Sequence, residues 1–189
     1  MPLNFSVAYA FAFCSGVFFK GKQGWWLPLA TIFITDIGLN FYYQYKSHIT
    51  DVWSAANLAN LAFNYVAYGV LIFLGRRFKP KSSLFSLVSG GIFGAILFYF
   101  ITNTASWLFN PFHNLEYTKN LAGWIRALTK GVDGYPPTWE FFRNTFLSGG
   151  IFTGLFAGAM KLTAPSEETQ EEPAEEAAPP RAEPEAAES

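Results

Sequence analysis

The chain has almost none of the residue patterns that carry enzyme chemistry. Cys14 is its only cysteine, and its two histidines, His48 and His113, stand alone in predicted loops. No Gly-rich phosphate loop, no Cys-x-x-Cys motif and no pair of carboxylates on one helical face occurs. A disulfide within the chain is therefore impossible, and we expect no enzyme activity, no metal, no cofactor and no nucleic-acid partner.

Acidic residues are scarce outside residues 163–189. That stretch holds nine of the fourteen Asp and Glu residues and no aromatic residue, so we predict a disordered acidic tail rich in Pro, Ala and Glu. Residues 1–162 carry twelve Lys and Arg, five acids and all of the aromatic residues. The sequence therefore predicts a transmembrane helical domain over residues 1–162 and a cytoplasmic tail over residues 163–189.

The long apolar segments lack the charged face that soluble helices of this length show. A helix needs roughly 20 mostly apolar residues to cross the hydrocarbon core of a bilayer. Five segments are candidates, the first of them short: Phe5–Phe19, Trp25–Tyr45, Val52–Leu74, Leu84–Phe109 and Trp139–Leu162. We therefore predict an all-α, polytopic bundle with five spans in the inner (plasma) membrane. Its start has no basic region, so we expect no cleaved signal peptide.

The connection between the fourth and fifth spans, Asn110–Thr138, is amphipathic. Its apolar residues at helical spacing are Leu121, Trp124, Ile125, Leu128 and Val132. Basic residues lie between them, so this segment is too charged to face lipid on all sides. We predict a sixth helix over residues 115–132 that lies at the membrane interface or re-enters the membrane. A sixth true span is the alternative.

Lys and Arg are concentrated in the turns at one end of the predicted bundle. Seven of them fall there: Lys20, Lys22, Arg76, Arg77, Lys79, Lys81 and Lys161. Because short cytoplasmic loops are enriched in Lys and Arg, we predict an outside N-terminus and a cytoplasmic tail. The basic turn Arg76–Lys81 is interpreted as an orientation signal, with binding of anionic lipid headgroups as the alternative. The acidic tail either folds back on this turn or only adds solubility.

Side-chain amides and charges collect at the opposite end of the predicted bundle. On the third segment, five polar or amphipathic residues fall on one helical face: Trp53, Asn57, Asn60, Asn64 and Tyr68. A charged group inside a bilayer is costly, so it usually faces a partner or a wet cavity. We therefore predict a pocket for a small polar or aromatic solute, with Asp36 paired to Arg143. The predicted ligand-binding residues are Asp36, Asn40, Asn60, Asn64, Asn103, Trp107, Arg143 and Asn144.

Small residues repeat every four positions on the first and last predicted helices. Such stripes allow helix backbones to approach closely, either within the monomer or against a membrane partner. The predicted partner-contact residues are Ala8, Ala12, Gly150, Gly154 and Gly158.

Five short motifs, in this order along the chain, resemble a known family. They are Asn4-Phe5-Ser6, Thr35-Asp36, Gly75-Arg76-Arg77, Thr102-Asn103 and Phe141-Phe142-Arg143-Asn144-Thr145. The family is an uncharacterised group of small bacterial integral membrane proteins, distantly similar to the substrate-capture (S) subunits of energy-coupling-factor transporters. This resemblance implies solute binding, six spans with both termini in the cytoplasm, and a membrane partner subunit that supplies energy.

Two functions are therefore open. The first is a solute-binding membrane protein of transporter type, with the segment Leu115–Val132 as a lid over the pocket. The second is a non-transporting membrane scaffold or assembly factor, in which the Asn side chains hold helices together and the small-residue stripes bind partners.

Overall fold

A computed structural model describes residues 5–49 and 51–163 of the chain. Within these residues the fold is entirely helical, which confirms the predicted all-α class. The helices are α1 (Ala8–Phe18), α2 (Gln23–Lys46), α3 (Ala55–Gly75), α4 (Leu84–Phe109), α5 (Leu121–Thr129) and α6 (Thr138–Thr163). A single 3-10 turn, Asp51–Trp53, precedes α3. Apart from Thr163, the predicted tail lies outside the described residues, as does Asn4 of the first family motif.

The ends of several helices follow from local sequence. Ser54, Ser83 and Asn120 precede α3, α4 and α5, and each side chain accepts a hydrogen bond from the backbone N–H three residues on, at 3.3, 3.1 and 2.9 Å. These residue types are favoured at helix starts because they satisfy backbone donors that the helix leaves free. Asn110 ends α4 in the left-handed conformation, with φ of 43°, which Asn tolerates better than most residues.

Three helices of the described chain are long and apolar enough to cross a membrane: α3, α4 and α6. The other two predicted spans do not meet that measure. At 1.5 Å per residue, α1, with 11 residues, is only about 16 Å long. α2 has 24 residues but carries Asp36, Asn40 and Gln44 along one stripe, which lowers its mean hydropathy. The predicted interfacial helix corresponds to α5, which is shorter than the predicted range of residues 115–132.

The short helix α1 lies at the centre of the bundle and packs against α2, α3, α4 and α6. Along the chain, α1, α2, α3, α4 and α6 alternate in direction. The antiparallel pair α3 and α4 illustrates this, because Phe63 stacks on Phe109 and Tyr68 packs against Phe98. α2 is peripheral and, among the described elements, contacts only α1, α3 and the 3-10 turn. This arrangement gives the bundle two ends. The basic end holds the start of α2 and of α4 and the last turn of α1, α3 and α6; the other end is called the amide end.

The stripe of small residues on α1 packs inside the monomer. Ala12 is fully buried, and Ala8 packs against the same apolar cluster. One turn further on, a Cβ added to Gly16 would collide with the Ile72 carbonyl oxygen, and one added to Gly75 would collide with the Phe13 carbonyl oxygen. The backbones of α1 and α3 therefore touch, so the buried Ala12 is not available to another protein.

Glycines of α6 mainly serve its packing on α4. A Cβ on Gly150 would lie 3.2 Å from the Ile92 side chain, and one on Gly154 would lie 3.6 Å from Val88. Gly158 differs, because a Cβ there would meet no atom of the described chain within 4 Å. Of the three glycines predicted to contact a partner, Gly158 is the one with free space beside it.

Candidate functional site

The alternating helix directions bring the predicted polar residues to the amide end, but these residues do not meet at one site. Two polar regions lie at this end. The first is the contact between α2 and α3, called the α2–α3 seam. There the Tyr65 hydroxyl donates to Asp36 Oδ2 at 2.8 Å, and Trp53 Nε1 donates to Gln44 Oε1 at 2.8 Å. The second region is a cavity beneath the connection between α4 and α6.

The predicted ion pair between Asp36 and Arg143 is not formed between these described residues. α2 and α6 share no contact, because α2 lies on the outer side of α1 and α3. Asp36 is bound by Tyr65 instead. Arg143 is exposed, and its guanidinium carbon lies 5.7 Å from the ring centre of Trp139, one turn earlier on α6.

The predicted amides of α2 and α3 make few side-chain hydrogen bonds among the described residues. Asn60 Oδ1 accepts a long hydrogen bond of 3.4 Å from the Ser106 hydroxyl on α4. Asn40 and Asn64 are both half-buried, and neither side chain is hydrogen-bonded to another described residue. These three predicted ligand-binding residues therefore hold the helices together only weakly.

A cavity of about 570 Å³ lies at the amide end between α4, the connection and the start of α6. Its wall consists of Asn103, Phe112, Asn114, Tyr117, Gly131, Val132, Tyr135, Pro136, Thr138 and Phe141. Asn103 is the one predicted ligand-binding residue in this wall. Trp107 instead donates from Nε1 to the Thr118 carbonyl at 2.7 Å, and Asn144 is buried within the bundle.

Hydrogen bonds to the backbone and a tight turn fix the positions of the polar groups in the cavity wall. Asn103 Nδ2 donates to the Tyr99 carbonyl of its own helix at 2.8 Å, which orients its amide. Asn110 exchanges two hydrogen bonds with the backbone of Asn114, at 2.9 and 2.8 Å, and so fixes the turn after α4. Gly131 has φ of 72°, and a Cβ there would collide with the Thr138 hydroxyl. Only glycine therefore suits this close approach.

Hydrogen bonds fasten the connection onto α4. Tyr99 donates from its hydroxyl to the Leu128 carbonyl at 2.5 Å, and Trp124 Nε1 donates to Thr104 at 3.0 Å. These bonds hold α5 against α4. The Lys119 ammonium donates to the carbonyls of Trp107 and Leu108 at the C-terminus of α4. Its positive charge interacts favourably with the negative end of the helix dipole there.

Three charged residues hold the cavity wall after α5 in place, and together they are called the lid clasp. Arg126 donates from Nε to the Gly131 carbonyl at 3.1 Å and from Nη2 to Asp133 Oδ1 at 2.5 Å. The backbone N–H of Asp133 donates to Glu116 Oε1 at 3.1 Å. The charges thus contact one another and the backbone, while none of the described residues of the cavity wall has a charged side chain.

Tyr117 is the buried titratable group of the cavity wall, with 9% of its surface exposed. Burial raises the pKa of its phenol above the ordinary value of 10, and the neighbouring Glu116 carboxylate raises the pKa further, against a smaller opposite effect of Arg126. Tyr117 is therefore neutral at any physiological pH and can act as a hydroxyl donor or acceptor.

Most residues of the cavity wall were not predicted from the sequence, because the connection between α4 and α6 was interpreted only as a lid over a pocket formed by the helices. Asn114, Tyr117 and Thr138 come from this connection and from the first residue of α6. Glycines at 131 and 134, followed by Pro136-Pro137, are the available signal, because such residues indicate a fixed turn rather than a continuous helix.

The fold and cavity together define a small all-helical protein with three helices apolar enough to cross a membrane and a polar cavity beneath a fastened connection. A model of a protein family, described as a family of unknown function (DUF6580), matches residues 1–172, and the chain belongs to that family. No curated protein and no solved structure matches the chain.

Proposed function

We propose that this protein is a multi-pass inner-membrane protein that binds a small solute, of transporter type and similar to S subunits. The cavity at the amide end is the single observation that carries this proposal. Its volume of about 570 Å³ suits a small molecule, and aromatic side chains with a few polar groups line it.

In the proposed membrane topology, α2 crosses the bilayer as a fourth span beside the three apolar helices α3, α4 and α6. At 1.5 Å per residue its 24 residues reach about 36 Å, which is long enough to cross a bilayer. Its polar stripe faces α3 and the 3-10 turn, where Tyr65 binds Asp36 and Trp53 binds Gln44, so the stripe is shielded from lipid. The short α1 lies inside the bundle, surrounded by four helices, and completes a fifth pass only together with its flanking residues.

The basic end faces the cytoplasm and the cavity faces outside, in line with the Lys and Arg distribution. α5 buries Gly123 and Ala127 and exposes Leu121 and Ile125, 67% and 49% accessible, toward the headgroup region. A solute would reach the cavity from the outer face. Energy for its release to the other side would come from a partner subunit, because the chain has no nucleotide-binding motif.

The cavity chemistry favours an uncharged, planar solute with hydrogen-bonding groups. Amides of Asn103 and Asn114 and the hydroxyls of Tyr117 and Thr138 supply donors and acceptors, and Phe112 and Phe141 supply flat apolar walls. A charged solute would enter without an opposite charge in the wall, at the cost of its desolvation.

A thermal-shift screen in detergent tests this proposal. Because Cys14 is buried, reaction of its thiol with a fluorogenic dye reports unfolding. Solutes that bind the folded protein raise the unfolding temperature, by an amount that grows with concentration over Kd. We expect uncharged heterocyclic solutes to raise it by several degrees, and carboxylate analogues of the same solutes to leave it unchanged.

Two matched variants locate the effect. Asn103→Ala removes an amide from the cavity wall and should abolish the shift, whereas Asn40→Ala removes a half-buried amide at the α2–α3 seam and should keep it. A shift that survives Asn103→Ala and disappears in Asn40→Ala would move the binding site to the seam. A library without any stabilising solute would argue against solute binding altogether.

A further inference from the structure

The basic end of the bundle carries most of the cationic residues of the described chain. Its cationic residues are Lys20, Lys22, Arg76, Arg77, Lys79, Lys81 and Lys161. The five acids among the described residues lie elsewhere: Asp36 within α2, and Asp51, Glu116, Asp133 and Glu140 at the amide end. This surface, formed by the seven cationic residues, is called the basic surface.

The two arginines of the basic surface are fixed by the fold. Arg76 donates from its guanidinium to the Gly21 carbonyl and lies 5.5 Å from the ring centre of Trp25. Arg77 lies 4.6 Å from the ring centre of Phe73. These contacts hold the guanidinium groups and the α1–α2 turn in one place, so the exposed lysines beside them form part of a defined surface. Lys20, Lys22 and Lys79 are all exposed.

We propose that the acidic segment of residues 164–189 binds the basic surface of its own chain. The segment contains nine of the fourteen acids and a single basic residue, Arg181, so its charge is opposite to that of the surface. The acidic segment also begins at the same end of the bundle as the basic surface. α6 ends at Thr163 on the basic end, where Phe156, two turns earlier, contacts Phe18 and Phe19 at ring distances of 6.2 and 6.4 Å.

The length of the segment is sufficient for this contact. Glu167 follows Thr163 by four residues and Glu176 by thirteen. At about 3.3–3.6 Å per residue, the run from Glu167 to Glu176 reaches at most roughly 13 to 45 Å from the end of α6. That distance spans the end of a bundle of this size. A tethered ligand of this kind acts at an effective concentration on the order of millimolar, so weak individual charge contacts suffice.

Binding of the acidic segment would neutralise the surface that anionic lipid headgroups would otherwise occupy. Both contacts are electrostatic and weaken with salt, but they differ in what carries the negative charge. The test therefore changes the charge of the segment and leaves the described bundle intact. Replacing the six glutamates Glu167, Glu168, Glu171, Glu172, Glu175 and Glu176 by Gln in the full chain achieves this.

The measurement is the rate of lysine acylation, residue by residue, by mass spectrometry in a neutral detergent at low salt. Lys46, which is exposed at the amide end, is the internal reference. We expect Lys20, Lys22 and Lys79 to react severalfold more slowly than Lys46 in the natural sequence. In the six-Gln variant, or at about 0.5 M salt, they should react as fast as Lys46.

Carboxylate–amine cross-linking gives an independent readout. Zero-length cross-links should join the Glu167–Glu176 run to Lys20, Lys22 or Lys79 and not to Lys46. Equal lysine reactivity in the natural sequence and the six-Gln variant overturns the proposal. So does protection of the lysines that appears only when phosphatidylglycerol is added and is the same in both proteins, because lipid would then be the occupant.

Discussion

The Tyr65 hydroxyl donates a hydrogen bond to Asp36 Oδ2 at 2.8 Å, and this bond joins the peripheral helix α2 to α3 in the middle of the bundle. Asp36 is the acid that sequence reasoning assigned to ligand binding. Its observed partner lies on a neighbouring helix, away from the cavity, so its role in this account is to hold α2 in place.

Removing the donor to Asp36 should destabilise the protein without affecting solute binding. Tyr65→Phe leaves the half-buried carboxylate without its observed partner, and loss of such a hydrogen bond typically costs about 0.5–1.5 kcal/mol. Unfolding followed through the Cys14 thiol should show this loss. Tyr45→Phe is the control, because Tyr45 is 67% exposed. Equal stability of the two variants would mean that the bond contributes nothing.

The contact between α1 and α3 predicts an unusual sensitivity to one methyl group. Gly16→Ala places a Cβ against the Ile72 carbonyl, so the helices must separate, and overpacking of this kind costs about 1–3 kcal/mol. Gly158→Ala adds the same group in open space and should be neutral or slightly stabilising, because Ala favours helix over Gly. Unfolding temperatures in one detergent compare the two, and a destabilised Gly158→Ala with an unaffected Gly16→Ala would contradict the packing.

The lid clasp should control local opening more than overall stability. Arg126→Gln breaks the contact with Asp133, which is itself 82% exposed, and exposed ion pairs contribute at most about 1 kcal/mol. Hydrogen exchange should accelerate over residues 131–135, while protection of α4 stays the same. Lys130→Gln, which removes a neighbouring exposed charge outside the clasp, is the control. Unchanged exchange over residues 131–135 in Arg126→Gln would show that the clasp does not hold the wall.

Solute binding should not depend on pH between about 6 and 9. The pKa of Tyr117 lies above its ordinary value of 10, so the phenol stays protonated throughout this range. Because the raised pKa favours the protonated form in the folded state, its contribution to stability is complete below pH 10 and is lost as the pH rises through the folded-state pKa. Titration of the ligand-induced thermal shift measures this, and loss of binding near pH 7 would identify a different titrating group in the site.

The all-helical class, and the helices α3, α4 and α6 to within a few residues, could be predicted from apolar length and the turn residues between segments. The alternating directions of consecutive helices also predicted that the side-chain amides lie at one end of the bundle. Which amides meet was beyond this reasoning, because the peripheral position of α2 depends on the close approach of Gly16 and Gly75, and no hydropathy pattern encodes that approach. The cavity wall was missed for a similar reason: Asn114, Tyr117 and Thr138 meet through turns whose path depends on tertiary contacts.

Native mass spectrometry of the purified protein is the most direct test of the central claim that the cavity binds a small solute. We expect a bound small molecule that is retained in Asp36→Asn and Asn64→Ala and lost in Asn103→Ala and Tyr117→Phe. A bound molecule that leaves in the first pair and stays in the second would contradict the account, because the site would then lie at the α2–α3 seam.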